Sequence, residues 1–234
     1  MRESPARSPA CCAECCSPPK CHHRNVQFAD ELDRVLPQDI PHRERLIEKS
    51  AQHLFMVLQA NETMNLTRIT TAREAAIKHI LDSVAPWQYF KSATRVLDAG
   101  TGAGFPGIPL ALVLPDVRFL LAESIQKKAR FVDNAVESLH LPNVHVFPDR
   151  AEERALAQKP DIITARAVAP LHKLLDLFSK SLKQGSELIL YKGPEVENEI
   201  AETKIPRVQS EILTRYDLPD EMGARTIVRV WFQR

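Results

Sequence analysis

Asp98 ends an apolar run, and Gly100, Gly102, Gly104 and Gly107 follow it, packed into eight residues of VLDAGTGAGFPGIPLALVL. Glycine serves where backbone turns tightly or closely approaches a ligand. An acid followed by such a loop and then a helix-like apolar run is ligand-binding chemistry. A phosphate-binding loop would need G-x-x-x-x-G-K-[ST], but Ile108 and Pro109 follow Gly107, so this class is excluded. A dinucleotide site uses G-x-G-x-x-G after a strand, with an acid about 20 residues further on. That register fits only from Gly102, and Asp98 is out of character for it. S-Adenosylmethionine carries an ammonium and a sulfonium and no pyrophosphate, so an acid at the first strand end suits it. Asp98 meets that need, and Glu123, ending the next apolar run, suits ribose hydroxyls. The loop residues Thr101, Gly102 and Gly104 are expected to line the same ligand.

Short β-rich runs at RVLDA (95–99), RFLLAE (118–123), VHVF (144–147), DIITA (161–165) and ELILYK (187–192) must carry these residues. Helical stretches near 107–114, 126–139, 170–182 and 194–203 separate them. This alternation implies an α/β, doubly wound, mostly parallel sheet. VQSEILTRYDL and RTIVRVWFQ add an antiparallel edge pair. Before the sheet, Leu46, Ile47, Ala51, Leu54, Phe55 and Leu58 recur at helical spacing. Thr71 and Glu74 form a capping-box pattern that starts another helix, with Ile77, Ile80, Leu81 and Val84 on one face. Residues 28–92 are thus expected as a helical cap on a 93–234 domain, the two forming one compact unit.

The chain has 234 residues and a formal net charge of +1, so any nucleic-acid partner must be met by a local basic patch. No apolar run reaches the roughly 18 residues of a membrane span, and no signal-peptide core is evident. The five cysteines, Cys11, Cys12, Cys15, Cys16 and Cys21, lie ahead of residue 22, which excludes a disulfide framework for the body. Their C-x-x-C spacing beside His22 and His23 permits zinc, but the surrounding proline, serine and charge favour a disordered tail over residues 1–27 with no metal.

NLTRIT (65–70), KHILDS (78–83), LDAGTGAGFPGIPLAL (97–112), DRAEE (149–153), ARAVAP (165–170) and LYKG (190–193) occur together and in order. In this combination the chain, from about Phe28 to Arg234, resembles the ribosomal small-subunit RNA guanine-N7 methyltransferase family, also called glucose-inhibited division protein B. The resemblance implies a class I methyltransferase fold (Rossmann-like), S-adenosylmethionine as donor, and a guanine in 16S rRNA of the small subunit or its assembly intermediate as target. It implies cofactor contacts from Gly100, Phe105, Ala151, Glu152 and Arg166. It also implies a soluble bacterial cytoplasmic enzyme, expected to be a monomer with no membrane partner.

The residues exclude several other acceptors. No N/D-P-P-Y/F segment follows the fourth strand, where TARAVAP stands, which disfavours an exocyclic amine. The body lacks a cysteine for thiolate attack on cytosine. The fourth strand ends toward Arg166 with no Asp, unlike a ribose 2′-O site. Guanine N7 has an in-plane lone pair and no proton to lose, so alignment without a general base suffices. Arg166 and Lys192 sit at strand ends, where parallel-sheet ligands bind. RNA is expected at Asn65, Arg68 and Lys192, and at Thr67, with Arg73, Lys78, Lys127 and Lys128 nearby. His79 and Asp82, at i and i+3, are expected to make a structural hydrogen bond. Two alternatives stay open: a small-molecule methyltransferase on the same fold, and a non-catalytic cofactor-binding regulator.

Overall fold

The computed structural model describes residues 18–203 and 205–233, with side chains from residue 24. The cysteines at 11, 12, 15 and 16 lie outside these residues, and with them the expected disordered tail up to residue 17. The first helix, α1 (Pro18–Val35), begins ahead of the expected boundary at 28 and buries Phe28 and Leu32. It packs with α2 (Arg43–Met64), whose Leu46, Leu54 and Val57 are buried at the helical spacing noted above. Thr71 caps α3 (Ala72–Ala75) by accepting from the Glu74 N–H at 3.3 Å, while the Glu74 carboxylate turns outward to Lys78. The helix then widens into a π-helical stretch (Ala76–Leu81) before α4 (Asp82–Val84). Its i→i+5 bonding, with Asp82 N–H on the Ile77 carbonyl, rotates side chains off their α-helical positions. His79 and Asp82 therefore do not pair. His79 meets Thr67, and Asp82 meets two arginines.

The sheet has seven strands among the described residues, in the order β3-β2-β1-β4-β5-β7-β6. These are β1 (Arg95–Ala99), β2 (Arg118–Ala122), β3 (Val144–Phe147), β4 (Ile162–Arg166), β5 (Glu187–Lys192), β6 (Val208–Asp217) and β7 (Ala224–Phe232). The first five are parallel, while β7 pairs antiparallel with β5 and β6. Both faces of the parallel part are covered, so its strands read as continuous apolar runs. Alternate residues separate cleanly. Val96, Phe119, Leu121, Ile162 and Ile189 join a core with α1, α2 and α5 (Gly107–Val113). Leu97, Leu120, Ile163, Leu188 and Val228 join a second core with α8 (Leu171–Gln184). The connecting helices α6 (Gln126–Ser138), α7 (Ala151–Gln158) and α9 (Val196–Glu202) complete the layers. Leu32, Leu46 and Leu54 share their cluster with the sheet face, so the helical cap has no core of its own.

Strand order reverses between β1 and β4, which opens a crevice at the carboxyl ends of the strands. The loops after β1, β2, β3, β4 and β5 meet there. No described helix is long and apolar enough to cross a membrane. Among the described residues no group of three or more His, Cys, Asp or Glu side chains is placed to hold a metal.

Candidate cofactor and acceptor site

Asp98 is fully buried at the end of β1. Its Oδ2 accepts from Thr101 Oγ1 at 2.7 Å and from the Gly107 N–H at 2.9 Å, so the acid ties both ends of the glycine loop. Its Oδ1 is buried without a hydrogen-bond partner among the described residues. Burial pushes this carboxyl up to about 6, against the lowering effect of the Thr101 and Gly107 bonds. A buried acceptor left open in this way fits the ammonium of S-adenosylmethionine. Glu123, nearly buried after β2, accepts from the Gly102 N–H at 3.1 Å and the Ile125 N–H at 2.8 Å. Each carboxylate oxygen retains a second lone pair, which leaves room for ribose hydroxyls.

The four glycines divide between two jobs. A Cβ on Gly102 would meet only the Gly100 carbonyl at 4.0 Å, so its face is open to a ligand. One on Gly100 would lie 3.2 Å from Val168 Cγ2, the exposed side chain that follows β4. Gly104 and Gly107 instead let the loop close on the core. A Cβ there would fall 2.6 Å from Ile108 Cδ1, or 2.2 Å from Leu121 Cδ2. Gly104, expected at the cofactor, thus stands against Ile108 and His53.

Phe105 is also turned inward. Its ring stacks on His79 with centroids 4.4 Å apart and leans on His53 at 4.8 Å, and the Arg166 guanidinium carbon lies 5.6 Å above it. His53 makes a 2.8 Å hydrogen bond to the Ala103 carbonyl, so its Nε2 carries the proton. Burial lowers His53 to about 4, and burial with the nearby Arg166 charge lowers His79 to about 3. Both rings are thus neutral in the folded protein. Unfolded imidazoles protonate below about 6.5, so this preference costs stability as pH falls from there toward 4. Each ring contributes a loss of about 3 kcal/mol at pH 4, and Asp98, whose raised value favours its protonated form, returns about 2 kcal/mol. The expected result is a net fall in Tm between pH 6.5 and 4. A Tm flat across that window, measured by thermal denaturation, would exclude neutral buried imidazoles.

The expected site residues beyond β2 are more dispersed. Ala151 and Glu152 open α7, where free backbone N–H groups point outward, and Glu152 lies 3.7 Å from Arg150. Arg166, at the end of β4, donates from Nη1 to the Lys78 carbonyl at 2.8 Å and to Asp82 Oδ2 at 3.3 Å. Lys192, at the end of β5, is held by the Ala169 carbonyl at 3.0 Å and Glu199 at 2.9 Å. Asn65 and Arg68 are exposed. Several cations expected to meet RNA have protein partners instead. Arg73 bridges Asp220 at 2.8 Å and Glu31 at 3.3 Å, Lys78 pairs with Glu74 at 2.7 Å, and Lys127 caps the Thr63 carbonyl at 2.9 Å. Arg68 and Lys128 have no ion pair among the described residues.

A cavity of about 480 Å³ lies beside the loop at the ends of β4 and β5, with Lys78, Asp82, Arg166, Val168, Lys192 and Arg225 in its wall. Arg225 was not legible beforehand. It stands within a strand-like run on the last strand, and only the antiparallel pairing of β7 with β5 brings it to Asp82.

The family model described as rRNA small subunit methyltransferase G matches residues 46–219. A ribosomal RNA small subunit methyltransferase G of Solibacter usitatus is 54% identical over 209 residues, covering 88% of this chain and all of that protein. Its counterpart in Carboxydothermus hydrogenoformans is 38% identical over 197 residues, covering 78% and 83% of the two chains. Among solved structures, an O-methyltransferase of Streptomyces achromogenes in complex with SAM superposes with a TM-score of 0.53 at 14% identity, covering 91% of this chain and 98% of that one. At that identity the likeness concerns the fold alone.

Proposed function

The chain belongs to the rRNA small subunit methyltransferase G family, and on that premise we propose that it methylates N7 of a guanine in the 16S rRNA of the small ribosomal subunit. It is an S-adenosylmethionine-dependent rRNA methyltransferase. The proposed working unit is a single chain acting in the bacterial cytoplasm, on the subunit or its assembly intermediate. When bound, S-adenosylmethionine supplies an electrophilic methyl that the N7 lone pair takes up, with S-adenosylhomocysteine released and no proton to remove.

The observation that carries the guanine-N7 reading is the state of the carboxylate and the imidazole in the cavity wall. Asp82 is 2% exposed, and both its oxygens accept from charged or hydroxyl donors. His79 is held neutral far below the usual imidazole range. His79 is thus a weak proton acceptor near neutrality, the oxygens of Asp82 are already engaged by donors, and N7 requires no base. The residues therefore work by alignment and electrostatics. Asp98 and the Gly100–Gly102 backbone would hold the cationic end of the cofactor, Glu123 its ribose, and the start of α7, with Ala151 and Glu152, its adenine. Exposed Asn65 and Arg68, with half-buried Lys128, are the polar groups proposed to meet RNA.

The test is to map N7-methylguanine in 16S rRNA from cells with and without this protein, and to repeat transfer in vitro with the purified chain. One N7-methylguanine present only with the protein is expected. Methyl transfer to another atom, or to no rRNA nucleotide, would overturn the assignment.

A further inference from the structure

The cavity at the ends of β4 and β5 bears a wall rich in cationic hydrogen-bond donors. Lys78, Arg166, Lys192 and Arg225 line it, and lysine and arginine donate only. Asp82, the carboxylate in the wall, is saturated. Its Oδ1 accepts from Arg225 Nε at 3.1 Å and the Tyr216 hydroxyl at 3.2 Å, and its Oδ2 from Arg225 Nε at 3.1 Å and Arg166 Nη1 at 3.3 Å. Arg166 is tied through Nη1 alone among the described residues, which leaves the rest of its guanidinium fork for a ligand. Ile69, Val168 and Leu174 supply apolar surface, so the cavity suits a flat ring with an acceptor edge better than a bare phosphate.

Guanine and adenine both carry N7. They differ beside it: guanine has the O6 acceptor, adenine the N6 amino donor. The base must turn N7 toward the cofactor loop, so the atom next to N7 meets the side of the wall nearest that loop. His79, stacked on Phe105 at 4.4 Å, and Arg166 stand there, and Arg166 is the cation of the two. β4 is the direct neighbour of β1, and the guanidinium lies over Phe105 of the loop, whereas Arg225 is two strands further along the sheet. We propose that this cavity receives the acceptor base and that Arg166, positioned by Asp82, selects guanine by donating to O6. An adenine would set donor against donor there. This inference rests on the guanine-N7 assignment above and adds how the base is chosen.

The test uses small subunits reconstituted with 16S rRNA that carries guanine, inosine, 2-aminopurine or adenine at the nucleotide the wild-type chain methylates. Inosine keeps O6 and lacks the 2-amino group, and 2-aminopurine does the reverse. Initial rates of labelled methyl transfer are read at saturating S-adenosylmethionine. Inosine is expected within about threefold of guanine, with 2-aminopurine and adenine slower by about 10- to 100-fold. Transfer to 2-aminopurine at the guanine rate would overturn the proposal and leave the cavity to a phosphate. A second arm compares Arg166→Lys, still a donor only, with Arg166→Gln, which both donates and accepts. The lysine variant should keep the preference for guanine over adenine, and the glutamine variant should narrow it to a few-fold. An Arg166→Gln enzyme that turns over with the full preference would overturn the assignment to Arg166. If that variant fails to fold, the substrate series decides alone. If the wild-type chain methylates no guanine N7, the proposed function fails first and this inference falls with it.

Discussion

Asp98→Asn should lose S-adenosylmethionine binding while the fold stays at least as stable at neutral pH. The two effects separate because Asp98 does two things. Asparagine keeps an amide oxygen that can accept from Thr101 Oγ1 and the Gly107 N–H, so the loop stays tied. It lacks the charge that Oδ1 would present to an ammonium in the proposed cofactor pose, and loss of a buried charge partner costs about 2–5 kcal/mol, so the Kd should rise by about 30-fold or more. The carboxylate is also expensive to the fold. Burial raises its pKa to about 6, which makes the ionised form unfavourable by about 3 kcal/mol. The sign follows: the folded state binds its proton more tightly than the unfolded chain, so this group's contribution falls as pH rises from the ordinary carboxylate value through 6. A neutral isostere removes that cost. Calorimetric titration of the cofactor and thermal denaturation at pH 7.5 check the two halves. Retained binding, or a large drop in Tm, would refute this account of Asp98.

Gly102→Ala and Gly104→Ala should fail in opposite ways. At Gly104 (φ +97°) an added Cβ would fall 2.6 Å from Ile108 Cδ1 and 3.1 Å from His53 Cε1. Left-handed strain of about 1–2 kcal/mol and core overpacking of about 1–3 kcal/mol add, giving a loss of stability of about 2–5 kcal/mol. At Gly102 (φ +62°) the strain remains, but the Cβ projects into open space. That variant should fold with a loss of about 1–2 kcal/mol and bind S-adenosylmethionine poorly, because the methyl group occupies ligand volume. Chemical denaturation beside cofactor titration distinguishes them. Equal destabilisation by both variants would contradict the division of labour within the loop.

The sheet was readable because its parallel strands are apolar throughout, and turn residues punctuate them. Asp98 and Glu123 were readable as acids ending two such strands. What escaped was whatever depended on partners distant in sequence. Nothing local reveals that the Phe105 ring would stack on His79 and lean on His53, because both histidines come from the helical cap. The π-helical stretch escaped for a related reason. Its apolar positions, Ile77, Ile80 and Val84, suit an ordinary helix equally well, and the widened hydrogen bonding that parts His79 from Asp82 leaves no mark on residue type. The cationic residues chosen for RNA were selected by charge alone. Sequence cannot show that Arg73 is claimed by Asp220, 147 positions away.

The grip of Arg225 on Asp82 spans 143 positions of sequence. A chain being translated has its whole cofactor loop, from Asp98 to Gly107, well before β7 exists. Until β7 arrives, Asp82 lacks one of its two arginines and the cavity lacks a wall. The last strand of the sheet thus completes a cavity whose other walls come from earlier in the chain.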